Sequence, residues 1–321
     1  MSLIPSERKY LEILRILKEH REPMGAKRLS ETMAERGFVL TDRAVQYYLR
    51  YLDDTGFTEK VGNTGRVLTP LGLSETESAL VDERIGFIIS RLERLAFRTT
   101  FDPATSTGDV AYNLSVVPED ELERVCRVFD RVAAAGYGFF SSYRVLDRDP
   151  RIPSGHAGIV SICSITMDGV LQRMGVPVRM AFGGTLSHSA GRVQGFAHLI
   201  GYRGTSVDPL QLFISAGLTT IRSVVEGGTG LALANVREVP AGARPRVESM
   251  ISRMRKCGFS FPVALGTRVF NLAPNPYRLS IVSYSGLNLV GCGIEEGFRI
   301  RTEIGAGNIP FSKVMDATGS S

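Results

Sequence analysis

The chain has 321 residues, of which 43 % are apolar and 22 % are charged, values ordinary for a folded protein with more than one core. Its apolar runs stay below the ~20 residues of a membrane span, and its polar N-terminus lacks the apolar core of a signal peptide, so we expect a cytoplasmic protein without a membrane partner. The net charge of +5 permits nucleic-acid binding, although residues 1–80 carry 12 basic and 12 acidic side chains, so attraction to phosphate depends on local placement.

The first two predicted helices lie at the N-terminus. Residues 6–20 show an apolar stripe at helical spacing, with Ser6 in a capping position. Pro23 and Gly25 interrupt this pattern, and a second helix is predicted over 26–35, where Gly37 ends it. The predicted buried positions of these two helices are Tyr10, Ile13, Leu14, Leu17, Leu29 and Met33.

A third helix followed by a β-hairpin is predicted over residues 41–69. Thr41 stands at the N-cap and Gly56 ends the helix. Residues 57–61 and 66–69 read as short strands joined by Gly62-Asn63-Thr64-Gly65, which suits the positive φ of a tight turn. The apolar stripe of the third helix consists of Val45, Tyr48, Leu49 and Leu52. Three helices and a hairpin in this order predict a winged helix-turn-helix domain over residues 1–79.

The face of the third helix opposite its apolar stripe predicts a DNA-reading surface. Arginine recognises guanine and glutamine recognises adenine in the major groove, while basic residues beside the wing turn would meet phosphate. A solvated helix face and a protein-docking winged helix are the alternatives. The predicted DNA-binding residues are Thr41, Arg43, Gln46, Tyr47, Arg50, Lys60 and Arg66.

Residues 80–321 predict a second, larger α+β domain with a mixed sheet. It opens with an amphipathic helix over 80–100, which reads as a linker, a dimer contact or part of the domain. Strands are predicted over 108–116, 137–146, 158–164 and 231–239, and helices over 117–135 and 247–256. The glycine-rich stretch 280–304 reads as strand. An internal repeat relating 166–184 to 206–228 is suggested by hydroxyl, acidic and glycine residues at similar spacing.

Several features of the larger domain could bind or transform a ligand. Ser206 and Asp208 precede a predicted helix, whose free N–H groups attract anions, and Gly227-Gly228 could form a backbone nest for an anion. His156 and Cys163 could form a nucleophilic pair, although no G-x-S-x-G elbow is present. For each feature the alternative is structural: a cap, a turn or a core cysteine. The four cysteines are widely spaced, which argues against zinc and disulfides, and neither metal nor cofactor is predicted.

Four stretches together resemble one known family: GIVSICSITMDGVLQRMGVPVRMAFGG, GYRGTSVDPLQLFISAGLT, ANVREVPAGA and SGLNLVGCGIEEG. Following a winged helix, they are similar to the NrpR-type nitrogen-regulation repressors of methanogenic archaea. The resemblance implies that residues 80–321 are one NrpR-type regulatory, effector-binding domain. It also implies a non-enzymatic homodimer that binds palindromic operators of nitrogen-assimilation genes and is released from DNA by 2-oxoglutarate.

Some relatives carry two regulatory copies, which leaves open whether this chain acts alone or with a separate sensor-domain protein. Regulation of another pathway, an enzyme with an appended winged helix and a protein scaffold remain the alternative functions. Because of this resemblance, we expect polar groups, glycine pairs and an arginine of the larger domain to bind the effector. The predicted ligand-binding residues are Arg151, His156, Ser161, Cys163, Ser164, Thr166, Gly183, Gly184, Thr205, Ser206, Arg222, Gly227 and Gly228.

Overall fold

The structure is a computed structural model that describes residues 5–20, 22–146, 149–203, 205 and 207–315. It divides into two compact units, Met1–Arg84 and Ile85–Ser321. The predicted order, a winged helix followed by an α+β domain, is confirmed. No helix within the described ranges is long and apolar enough to cross a membrane.

The first unit has the elements of a winged helix. They are α1 (Pro5–His20), α2 (Ala26–Glu35), α3 (Asp42–Asp54), β1 (Thr58–Val61) and β2 (Gly65–Leu68). The predicted apolar stripes meet in one core, with Ile13, Leu29 and Leu49 fully buried. β1 and β2 pair antiparallel, and Met24 forms a bridge to β2 that fastens the hairpin to the helices. Gly65 permits this close approach, because a Cβ there would overlap the Met24 backbone.

A long helix, α4 (Pro70–Arg98), begins in the first unit and ends in the second. It starts ten residues before the helix predicted from residue 80. Thr69 stabilises this earlier start, since its side chain accepts a hydrogen bond from the Gly72 backbone at 3.0 Å. Leu92, Leu95 and Ala96 near its C-terminal end are buried in the second unit.

The second unit is an internal duplication. Its first half comprises β3 (Asp109–Pro118), α5 (Leu122–Ala134), β4 (Tyr143–Leu146), β5 (His156–Ile162), α6 (Ile165–Arg173) and β6 (Arg179–Ser189). An insertion follows, with β7 (Arg192–Gly201), α7 (Pro209–Ser215) and α8 (Ile221–Gly227). The second half comprises β8 (Gly230–Pro240), α9 (Arg244–Lys256), β9 (Ala264–Gly266), β10 (Arg278–Tyr284), α10 (Leu287–Glu295) and β11 (Arg301–Pro310), and α11 (Phe311–Met315) closes it.

The two halves exchange their last strands. One sheet has the order β7-β6-β8-β10-β9 and the other β11-β3-β5-β4, and each of these ladders is antiparallel. The last strand of each half therefore pairs with the first strand of the other half. This exchange brings residues that are distant in sequence to the junction of the halves, where the cavities described below lie.

Three sequence expectations are wrong here. Of the strand predicted over 137–146, only Tyr143–Leu146 forms one. The stretch 280–304 contains helix α10, whose Gly291 lies so close to α8 that a Cβ would overlap Ile221. The proposed repeat of 166–184 in 206–228 also fails, because the first copy continues into strand β6 whereas the second continues into helix α8.

Candidate functional sites

Helix α3 is held firmly in the first unit. The Thr41 hydroxyl accepts a hydrogen bond from the Ala44 backbone at 3.3 Å, as expected of an N-cap. Asp42 accepts a hydrogen bond from Ser30 on α2 at 2.5 Å. The α2–α3 pair, the helix-turn-helix itself, is thus fixed by side-chain contacts as well as by its core.

The outer face of α3 is exposed and chemically unengaged. Arg43, Gln46 and Arg50 are exposed and form no hydrogen bond or ion pair with other residues that the structure describes. Tyr47 is 67 % exposed and contacts the ring of Tyr48 edge-on at 5.8 Å. The face predicted from helical spacing therefore exists as a continuous surface, free to contact a partner.

The two basic residues of the wing differ in their surroundings. Lys60 and Arg66 face each other across the hairpin, and Lys60 is exposed. The Arg66 Nε instead donates to Asp53 at 2.9 Å, and its backbone pairs with Met24. Arg66 thus ties the wing to α3, whereas Lys60 is available to phosphate.

A cavity in the described part of the second unit has a volume of about 620 Å³. It lies between the C-terminal part of α4, strand β11 and the start of α7. Three arginines line it together with six apolar residues and the carboxylates of Asp208 and Glu303. Its lining residues are Ile88, Arg91, Leu92, Leu114, Val116, Arg151, Val207, Asp208, Gln211, Arg301, Thr302, Glu303 and Ile304.

The three arginines are held in different ways. Arg151 donates from Nε and Nη2 to the Asp149 carboxylate at 2.8 Å each, which lowers the pKa of Asp149 to about 2. Arg91 donates to the Ile304 carbonyl at 2.9 Å. Arg301 is exposed and forms no hydrogen bond or ion pair within the described ranges. The predicted Arg151 therefore lies at the cavity, while Arg91 and Arg301 were not predicted.

A small buried chamber adjoins this cavity and shares three lining residues with it, Leu92, Asp208 and Ile304. Its volume of about 10 Å³ accommodates roughly one water molecule. The other lining residues, mostly polar, come from both halves of the duplication. They are Asn113, Cys163, Ser164, Ile165, Tyr202, Leu210, Asn235, Arg237, Ser285 and Leu287.

A buried ion pair lies at the chamber wall. The Arg237 Nε contacts both carboxylate oxygens of Asp168 at 2.8 and 2.9 Å, and both side chains are almost fully buried. Burial raises the pKa of Asp168, and the adjacent arginine opposes that rise. The Arg237 Nη1 is buried without a hydrogen-bond partner among the described residues. A buried donor left unpaired costs free energy, so it marks a place where an acceptor is missing.

The duplication places matched Asn–Ser pairs in the two halves. Asn113 lies opposite Ser161 in the β3–β5 ladder, and Asn235, 122 residues after Asn113, lies opposite Ser283 in the β8–β10 ladder. Both serine hydroxyls are buried without a hydrogen-bond partner in the part of the chain that the structure describes. The junction of the halves is therefore rich in unused hydrogen-bonding groups.

Three other predicted ligand residues cluster near the chamber. Cys163 and Ser164 line it, and Ser164 accepts a hydrogen bond from Asn235 at 3.2 Å. Burial raises the pKa of Cys163 to about 12, so the thiol stays protonated at neutral pH. Thr166 has a structural role instead, because its hydroxyl bonds both the N–H and the carbonyl of Ala111.

The proposed His156–Cys163 catalytic pair does not form. His156 begins β5 and lines a separate, open cleft with Glu119, Asp149, Pro150 and residues 152–155. Seven residues of nearly extended chain separate it from Cys163, which corresponds to about 20 Å. The sequence prediction that His156 binds the same ligand as Cys163 is therefore not supported by its position.

Neither predicted glycine pair forms an anion nest. Gly183 and Gly184 lie within β6, where a Cβ would press on Leu210 and on the His198 carbonyl respectively. Gly228 ends α8 at a φ of +66°, its N–H donates to Val224, and Gly227 precedes it inside the helix. These glycines serve strand packing and helix termination.

The remaining predicted residues lie away from both cavities or outside the described residues. Arg222 is exposed and pairs with Glu226 at 3.0 Å. Thr205 is half-buried and donates to the Tyr202 carbonyl at 3.5 Å. Ser206 lies outside the described residues. The N-cap of α7 is Asp208, whose Oδ1 accepts hydrogen bonds from two backbone N–H groups of the first turn.

The chamber could have been found from sequence by a different repeat. Asn113 and Asn235, Ser161 and Ser283, and Pro118 and Pro240 are each separated by 122 residues. Thr166 and Asn288, again 122 apart, make equivalent bonds, because Asn288 contacts both the N–H and the carbonyl of Leu233. A short local motif does not reveal this 122-residue spacing, because the helices between the matched residues differ in composition.

Comparison with protein families gives two matches. A family model described as NrpR regulatory domains NRD1 and 2 matches residues 85–316. A model described as the Ribonuclease R winged-helix domain matches residues 11–76. The two matches correspond closely to the two units of the structure.

Among curated proteins, the chain is 37 % identical over 317 residues to a global nitrogen regulator NrpRI of Methanosarcina mazei, covering 97 % of this chain and 96 % of that one. It is 28 % identical over 289 residues to a global nitrogen regulator NrpR of Methanococcus maripaludis, covering 90 % of this chain and 51 % of that one. A global nitrogen regulator NrpR of Methanocaldococcus jannaschii is 29 % identical over 294 residues, which cover 91 % of this chain and 52 % of that one. The chain thus spans about half the length of the latter two relatives.

Among solved structures, a nitrogen repressor-like protein from Methanococcus jannaschii superposes with a TM-score of 0.59 at 23 % identity. The match covers 70 % of this chain and 96 % of that one. At this identity the likeness concerns the fold alone.

Proposed function

Since this chain belongs to the NrpR family of nitrogen regulators, we propose that it is a DNA-binding repressor of nitrogen-assimilation genes that 2-oxoglutarate releases from its operator. The observation that supports the DNA-binding half most directly is the unengaged face of α3. A winged-helix regulator contacts DNA, and this face carries the residue types that recognise guanine and adenine. Neutral overall charge in residues 1–80 means that affinity depends on these base contacts and on dimerisation.

The arginine-lined cavity supports the effector half of the proposal. Its volume of about 620 Å³ lies within the usual range of small-molecule sites. 2-Oxoglutarate carries two carboxylates, and arginine binds carboxylates through two parallel hydrogen bonds. Arg301 has no protein partner among the described residues, so it can bind the effector without breaking an existing contact.

The long helix α4 supplies a physical route between the two activities. It begins in the winged-helix unit, and its residues Ile88, Arg91 and Leu92 line the cavity of the second unit. If the effector favours one position of this helix and DNA favours another, each ligand weakens the binding of the other. A coupling free energy of ~1–3 kcal/mol would change operator affinity by about 5–150-fold.

The proposal also includes a homodimer on a palindromic operator. Two reading helices must reach half-sites about 34 Å apart, so a small change in dimer geometry misaligns one of them. Because the chain spans half the length of two relatives, a separate sensor-domain protein could supply a second regulatory copy. Size-exclusion chromatography with light scattering, with and without operator duplex, measures this stoichiometry.

Calorimetric titration with 2-oxoglutarate tests the effector site. The wild-type chain should bind 2-oxoglutarate, and Arg301→Gln should bind it at least tenfold more weakly while keeping its operator affinity. Arg192→Gln is the matched control, since Arg192 is exposed on β7 and lines neither cavity. Equal binding by wild type and Arg301→Gln would contradict this assignment, and absence of wild-type binding would contradict the proposed effector.

A further inference from the structure

The buried chamber contains more hydrogen-bond donors than its own described residues use. The unpartnered donor among its lining residues is the Arg237 Nη1. Because guanidinium nitrogens only donate hydrogen bonds, an occupant that satisfies this group must present an acceptor oxygen.

The acidic groups of the chamber are already engaged. Asp168 is paired with the Nε of Arg237, and the Asp208 Oδ1 accepts from the backbone N–H groups that begin α7. Asp168 therefore offers no free counter-charge for a cation. The Nη1 of Arg237 remains available and can donate a charge-assisted hydrogen bond to a carboxylate.

We propose that the chamber is the inner end of the effector site, where Arg237 binds one carboxylate of the ligand, and that Leu92 of α4 must move aside to admit it. This inference rests on the proposed function, because it concerns how the same effector is bound. The outer carboxylate of the ligand remains with the arginines of the larger cavity.

The size of the chamber explains why Leu92 must move. At about 10 Å³ the chamber accommodates roughly one water molecule, so a carboxylate group needs more room. Among the described residues, Leu92, Asp208 and Ile304 line both the chamber and the larger cavity, and so form the wall between them. Asp208 is held by its capping bonds and Ile304 through its carbonyl, which accepts a hydrogen bond from Arg91, whereas Leu92 contributes only apolar contacts.

Displacement of Leu92 has a consequence outside the chamber. Leu92 is 5 % exposed and packs on α4 beside Leu95 and Ala96, in a core that includes Tyr202. Because close-packed cores respond to volume changes by shifting their elements, a carboxylate in the chamber would change the position of α4. Because α4 begins in the winged-helix unit, operator affinity should respond to this displacement.

Two variants test this inference in the full-length chain by titration with 2-oxoglutarate. Arg237→Lys keeps a positive charge opposite Asp168 but removes the unpartnered Nη1 donor, so it should bind 2-oxoglutarate at least tenfold more weakly. Leu92→Ala opens the wall in advance, so it should bind 2-oxoglutarate several-fold more tightly. Saturating 2-oxoglutarate should then change its operator affinity much less than that of wild type.

Leu95→Ala is the matched control for the second variant. Leu95 is the same residue type, is buried at 7 % exposure one turn further along α4, and lines neither cavity. It should lose similar stability yet keep wild-type effector affinity and operator response. If Leu92→Ala behaves like Leu95→Ala in both measurements, or if Arg237→Lys binds like wild type, the inference is overturned.

The outcomes also separate this inference from the proposed function. Wild-type binding of 2-oxoglutarate with unchanged variants would refute the chamber assignment alone. Absence of wild-type binding would refute the proposed effector and the inference together. Should Arg237→Lys fail to fold, the comparison between the two leucine variants decides the outcome.

Discussion

Removing the outer face of α3 should abolish sequence-specific DNA binding without unfolding the protein. The triple variant Arg43→Ala, Gln46→Ala, Arg50→Ala takes away three exposed side chains that form no hydrogen bond or ion pair with other described residues. Surface substitutions of this kind usually change the free energy of unfolding by less than about 0.5 kcal/mol. The expected effect is therefore confined to binding.

The size of that effect follows from the hydrogen bonds that these three side chains would form with base edges. Each bidentate base contact contributes ~1–3 kcal/mol of discrimination, so three of them represent about 3–9 kcal/mol for each winged helix. Specific binding typically exceeds non-specific binding by ~4–10 kcal/mol. The triple variant should therefore bind its operator about as weakly as it binds unrelated duplex.

The assay is fluorescence anisotropy at fixed salt, with a labelled duplex selected by wild type from a random pool and an unrelated duplex of equal length. The control triple variant replaces Gln172, Arg173 and Arg192 by alanine, which removes the same residue types and charge from the second unit. Wild-type specificity in the α3 variant, with a native thermal transition, would refute the assignment of α3 as the reading helix.

Three further predictions concern the second unit. Gly291→Ala should lower the free energy of unfolding by ~1–3 kcal/mol relative to Gly227→Ala in denaturant titrations, because both changes gain helix propensity but only the methyl at 291 overlaps the fully buried Ile221 of α8. Arg151→Gln should raise the pKa of Asp149 from about 2 toward its ordinary value in an NMR titration. Because the pKa of Asp149 is lowered in the folded state, this pair stabilises the wild type above about pH 4. The stabilisation is lost as the pH falls toward 2. A variant that retains a pKa near 2 would contradict that pairing. Thr166→Val should cost ~1–3 kcal/mol in the same titrations by leaving a buried backbone N–H unpaired, and an unchanged midpoint would show that this hydrogen bond contributes nothing.

The winged helix could be predicted from sequence because each of its elements carries a local signal. Gly56 and Gly62 adopt positive φ at the places where a helix ends and a hairpin turns. Val45 and Leu49 recur at helical spacing and are fully buried. The ion pair between Arg66 and Asp53 was harder to predict from the sequence, because the two residues lie on different elements.

The second unit was harder to predict because its geometry depends on distant pairings. Glycines within 280–304 resemble turn and strand signals, yet Gly291 is required by close packing of α10 on α8. Arg301 lies at the cavity because β11 of the second half pairs with β3 of the first, and Arg91 of α4 reaches the same cavity by bonding to the Ile304 carbonyl of β11. Cys163 and Ser164 were placed in the effector site from sequence, and they line the chamber that adjoins this cavity.

The most direct test of the account is operator affinity measured at one salt concentration with and without 2-oxoglutarate, with glutamate as the control ligand. We predict that saturating 2-oxoglutarate weakens binding by about 5–150-fold, the range of a coupling free energy of ~1–3 kcal/mol, and that glutamate leaves it unchanged. An operator affinity that is the same in all three conditions would contradict the central claim.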